Sequence, residues 1–84
     1  MSERIIVLYG TKWCGDCRRV VKILKETNIR FTFIDIDQNK EGEIFVKSTN
    51  RGNRSVPTIV FPDGSILVEP GNAELIKKLE GINE

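Results

Sequence analysis

The sequence predicts a small α/β fold with the element order βαβαββα, carried by a single domain over residues 1–84. Three observations predict it. Apolar, β-branched runs of strand length alternate with segments whose apolar residues recur at helical spacing. The last two runs are separated only by the turn Pro62-Asp63-Gly64-Ser65, so they form a hairpin rather than a further crossover. A chain of 84 residues is near the lower limit for burying one core without staples, which leaves no room for a second domain.

The first strand is Ile5-Ile6-Val7-Leu8-Tyr9, a continuous rather than alternating apolar run that suits a strand covered on both faces. The segment after the cysteines carries Val20, Val21, Ile23 and Leu24 on one side of a helix that Asn28 ends, since asparagine tolerates the left-handed conformation. Phe31-Thr32-Phe33-Ile34-Asp35-Ile36 is β-branched and aromatic, hence a second strand. Strand, helix, strand implies a right-handed crossover with these two strands parallel.

Asp37-Gln38-Asn39 caps a second helix, weakened by Gly42 and expected to bury Ile44 and Phe45 with Val46 beside them. A polar loop, Asn50 to Ser55, leads to a third strand, Val56 to Phe61, with Pro57 at its start because proline cannot donate inside a sheet. Ile66-Leu67-Val68 returns antiparallel. Asn72 is expected to cap a last helix, Ala73 to Glu80. Leu75, Ile76 and Leu79 then face inward, Lys77 and Lys78 fall in the last turn, and Gly81 stops it.

With 13 basic and 12 acidic residues the net charge is +1, which argues against a nucleic-acid binder held by many phosphate contacts. No apolar run approaches a membrane span. Met1 to Arg4 leads straight into the first strand without a signal-peptide pattern, so a cytoplasmic location is expected.

The chemistry centres on Trp13-Cys14-Gly15-Asp16-Cys17, between the first strand and its helix. A thiolate at Cys14 would face the unpaired N–H groups and favourable dipole of the helix start, which lowers a thiol pKa and makes a nucleophile. Cys17, one turn on, can attack a mixed disulfide formed on Cys14. A structural disulfide closing so short a loop would constrain little chain entropy. Zinc wants about four ligands, and the chain has no His and no other Cys. A redox pair is the favoured interpretation.

Together with Ser55-Val56-Pro57-Thr58 opening the third strand, these residues resemble the glutaredoxin branch of the thioredoxin superfamily over essentially the whole chain. Gly52-Asn53-Arg54-Ser55-Val56-Pro57-Thr58 followed by Phe61-Pro62-Asp63-Gly64-Ser65 is similar to mycoredoxins and related bacterial glutaredoxin-like proteins. The resemblance implies a four-stranded mixed sheet flanked by three helices. It implies a cis Val56-Pro57 bond beside Cys14, leaving Val56 to pair with a bound thiol's backbone. It also implies a thiol–disulfide oxidoreductase with catalytic Cys14 and Cys17. Its co-substrate would be a low-molecular-weight thiol, with no bound cofactor or metal.

The stretch Val68-Glu69-Pro70-Gly71-Asn72 departs from the Gly-Gly and acidic pattern of glutathione-binding members, which brings mycothiol in beside glutathione. Expected partners are disulfide-containing or thiolated proteins and a small thiol or flavoprotein disulfide reductase, acting on a monomer. Two alternatives stand: a thioredoxin-type general reductase fed by a flavoprotein, and a dimeric iron–sulfur carrier. Lys12, Trp13, Val56, Pro57 and Arg54 are expected to bind substrate. Lys12 and Asp16 are expected to tune the Cys14 pKa in opposite directions. For Lys12 and Trp13 the plainer alternatives are a solvated lysine and a half-exposed turn aromatic.

Overall fold

In the computed structural model residues 5–82 are described. The elements are β1 (Ile6–Gly10), α1 (Gly15–Glu26), β2 (Phe31–Asp35), α2 (Lys40–Thr49), β3 (Thr58–Val60), β4 (Ile66–Val68) and α3 (Asn72–Ile82). The sheet order is β2-β1-β3-β4. β2 runs parallel to β1, whereas β3 lies antiparallel to both β1 and β4. The mixed sheet, the hairpin and the three helices are all as expected.

Alternation along β1 divides the core. Ile6 and Leu8 pack with Ile59 and Phe61 of the β3 strand and its end, under Val20 and Leu24 of α1 and Leu75 and Leu79 of α3. On the other face Tyr9 stacks on Phe45 of α2, ring centroids 4.7 Å apart. Gly42 explains itself there: a Cβ at this position would lie 2.8 Å from Ile34 Cγ2. The residue that weakens the helix is the one that lets it approach the sheet.

The C-terminus of α1 follows expectation, with Asn28 at φ 58° in the left-handed region. Asn39 caps α2 by accepting the Gly42 N–H. Other details differ. Ile44 is 56% exposed rather than buried, because Gly42 and Val46 define the inward face and Ile44 points nearly opposite at 100° per residue. Ile76 is 43% exposed, at the margin of the face set by Leu75 and Leu79.

Gly71, not Asn72, takes the cap position of α3, its carbonyl accepting the Leu75 N–H at 3.0 Å. Gly81 does not stop that helix, which continues to Ile82. Lys78 is therefore interior to it. Its ammonium pairs with Asp63 at 3.0 Å and lies over the Phe61 ring. β3 begins at Thr58, with Pro57 buried just before it and its carbonyl accepting the Glu69 N–H.

Candidate active site

Register brings the candidate residues to one end of the sheet. Gly10 pairs with Asp35 across β1 and β2, and Tyr9 pairs with Thr58 across β1 and β3. The chain leaving β1 toward Cys14, the chain leaving β2 toward Asp37 and the chain entering β3 through Val56 and Pro57 therefore meet there. The Val56-Pro57 bond is cis. Among the described residues neither backbone group of Val56 is taken by another backbone group.

Cys14 is the N-cap of α1. Its backbone is extended (φ −82°, ψ 122°) and its sulfur accepts the Cys17 N–H at 3.4 Å. Both cysteines are free thiols, Cys14 half-buried and Cys17 only 1% exposed. Burial pushes the Cys17 thiol from its ordinary 9.0 up to about 12; the Cys14 sulfur and the Asp16 charge add to the rise, and a bond from the Thr11 backbone opposes it.

Space for Cys17 is made by Gly10, where a Cβ would stand 2.6 Å from the Cys17 sulfur and 3.3 Å from the Phe33 ring. One thiol is thus presented at a helix mouth and the other is sealed behind it.

Trp13 does not fold over the pair. It is 66% exposed and its indole N–H donates to Asp37 Oδ2 at 2.8 Å. Arg54 donates to the other oxygen of Asp37 and lies 2.8 Å from Glu43. This guanidinium is committed to two carboxylates of its own chain instead of standing open for an acidic substrate group. Hydrogen bonds from Arg54 first, then Trp13, hold the Asp37 carboxyl below its ordinary range. Lys12 is exposed, and its carbonyl accepts from Arg18 Nε at 3.2 Å. Asp16 lies 3.6 Å from Arg19, which also donates to Asn72 Oδ1 and the Pro70 carbonyl, tying α1 to the start of α3.

Comparison with known proteins agrees with this arrangement. The glutaredoxin family model matches residues 6–66. The chain belongs to the glutaredoxin family.

A candidate glutaredoxin of Mycobacterium tuberculosis is 42% identical over 79 residues, which span 94% of each chain. Mycoredoxin 1 of Corynebacterium glutamicum is 40% identical over 77 residues, covering 92% of this chain and 95% of that protein. Among solved structures, the glutaredoxin of Methanosarcina mazei Go1 superposes with a TM-score of 0.72 at 26% identity, over 94% of this chain and 84% of that one. The fold is thioredoxin-like, and the chain is a disulfide oxidoreductase of the glutaredoxin type.

Two residues of this glutaredoxin's site escape sequence reasoning. Gly10 looks like the end of a strand, and only the tertiary approach of Cys17 makes it necessary. Asp37 looks like a turn residue. Its place beyond the C-terminal end of β2, level with Cys14, is the signal that could have found it. Among the described residues no group of three His, Cys, Asp or Glu side chains is arranged to hold a metal ion. No described helix is long and apolar enough to cross a membrane.

Proposed function

We infer that residues 1–84 form one glutaredoxin-like domain that reduces protein disulfides, or mixed disulfides with a small thiol, through the Cys14-Gly15-Asp16-Cys17 dithiol. The Cys14 thiolate attacks one sulfur of the substrate disulfide, forming a mixed disulfide and releasing the other sulfur as a thiolate. Cys17 then attacks the Cys14 sulfur, its proton passing to the departing substrate sulfur. A Cys14–Cys17 disulfide forms, the second substrate thiol leaves, and two electrons have passed to the substrate. A small thiol or a flavoprotein disulfide reductase returns the pair to the dithiol.

The single observation that carries this assignment is the Cys14 sulfur at the first turn of α1, accepting the Cys17 N–H. Negative charge developing on that sulfur is met by a backbone donor and the favourable end of the helix dipole. Cys17 is kept protonated at neutral pH chiefly by burial, with a smaller contribution from Cys14 that is removed once substrate sulfur occupies that residue. Val56 offers its free backbone groups to the bound thiol's extended chain, with Pro57 fixing the turn. Lys12 faces the thiol's carboxylate, and Trp13 forms a wall steadied by Asp37 and Arg54.

The Val68-Glu69-Pro70-Gly71-Asn72 stretch lacks the Gly-Gly and acidic pattern of glutathione-binding members, and the likeness to mycoredoxin 1 supports mycothiol as the co-substrate. The protein works as a cytoplasmic monomer, where reducing conditions keep such a pair available for catalysis. The test is turnover of the reduced protein on mixed disulfides of glutathione, mycothiol and bacillithiol, and separately with thioredoxin reductase. The mycothiol substrate should be turned over fastest. No turnover in any arm would overturn the assignment.

A further inference from the structure

A groove of about 610 Å³ runs between α1 and the outer strand β2. Cys14, Val56 and Pro57 are not part of it, whereas Thr11 and the buried Cys17 lie at its inner end. Its floor is apolar: Val21, Phe31 and Phe33 are only partly buried and pack against the edge of the core. Its rim carries Lys12, Arg18, Lys22 and Lys25 against the single acid Glu26.

This is a strong segregation in a chain whose charges nearly balance. Of the described cations outside the groove, Arg19, Lys47, Arg54 and Lys78 have a carboxylate partner and Arg30, Lys40, Arg51 and Lys77 do not. Among the described residues the four rim cations have none. Arg18, Lys22 and Lys25 follow one another at i, i+4 and i+7, so like charges crowd one helix face at a cost to the helix. An anionic occupant turns that repulsion into attraction.

Two further features define the occupant's shape. β2 is the end strand of the sheet, so its outer backbone edge has no strand beside it among the described residues. A segment added there would project every second side chain onto the face of Phe31 and Phe33, which is the groove. At the inner end the Thr11 hydroxyl is buried without a hydrogen-bond partner.

We propose that this groove is the docking site for an extended segment of a partner protein, with apolar side chains on Phe31 and Phe33 and acidic side chains toward Lys22 and Lys25. A partner held here keeps its disulfide at high effective concentration near the α1 thiols without covering Val56.

The probe is a short fluorescein-labelled peptide in which glutamate alternates with phenylalanine, titrated into the full reduced chain by anisotropy. Comparison peptides carry lysine for glutamate or serine for phenylalanine, and a single-stranded oligodeoxynucleotide serves as a generic polyanion. The acidic apolar peptide should bind saturably and displace the amide NMR signals of residues 18–25 and 31–33. Lys22→Glu with Lys25→Glu should weaken it at least about tenfold while exchange with a small mixed disulfide is unchanged.

Binding indifferent to the double reversal, shifts centred on Val56 and Pro57, or equal affinity for the oligonucleotide would each overturn the proposal. Failure of the peptide to bind would overturn it too, with the turnover assays of the exchange function left standing.

Discussion

Cys14 and Cys17 lie one turn apart on the same helix, yet their surroundings share almost nothing. Around Cys14 the chain is open: an extended N-cap, an exposed tryptophan, and polar side chains that tie to one another rather than to the sulfur. Around Cys17 it is closed on the sheet side, where the Gly10 backbone and the Phe33 ring leave no room for one more carbon and Thr11 is buried beside them. A dithiol needs this inequality. In the proposed exchange the first sulfur would meet a substrate in solvent, and the second would stay protonated and inert until the first is occupied. Three residues of sequence separation are enough because a helix start is exposed on one side and buried on the other.

If the two environments carry this division, exchanging the thiols' fates has the largest effect. Cys14→Ser should bring exchange down to background on every substrate. Cys17→Ser should keep turnover on small-thiol mixed disulfides at the same order, losing only substrates that need an intramolecular second step. Mass spectrometry of a trapped intermediate checks it, and a mixed disulfide on Cys17 of the wild-type protein would reverse the assignment.

Next comes the seal itself. Gly10→Ala pushes a methyl group into the Cys17 sulfur, and overpacking of this kind costs about 1–3 kcal/mol in denaturant unfolding. Adding Cys17→Ala should recover most of that loss; if it does not, the obstruction is the Phe33 ring.

The alkaline stability of the reduced protein tests the burial of Cys17 in another way. Its folded pKa is raised, so the neutral thiol's contribution is complete below the ordinary 9.0 and is lost as pH climbs toward about 12. Unfolding of wild type and Cys17→Ala should therefore converge across that range. Parallel curves would mean that burial does not hold the proton.

The smallest effect belongs to the open side. Asp37 is held below its ordinary range, so its contribution is present above the ordinary carboxylate value and fades as pH falls through its own lower one. Trp13 fluorescence should report that release in acid and lose the transition in Asp37→Asn, with little change in exchange rate. A large fall in rate would make the Trp13 wall more important than its exposure implies.

What the sequence determined by itself was the set of local decisions. Runs of β-branched residues, helix periodicity, the Pro-Asp-Gly-Ser turn and the placement of Cys14 before a helix depend on neighbours within a few positions, and they yielded the element order and the glutaredoxin likeness. Where the choice belonged to packing, local rules misled. Ile44 and Ile76 are apolar, but which face of a helix turns inward is decided by what the sheet offers it. Asn72 is a good cap in isolation, yet Arg19 claims its side chain and Gly71 takes the cap position. Arg54 looked like a free cation because its partners, Asp37 and Glu43, are 17 and 11 residues away in sequence. Gly10 and the cationic groove beside β2 exist only once α1 lies across the sheet, because close approach and charge segregation are properties of surfaces brought together rather than of the chain that forms them.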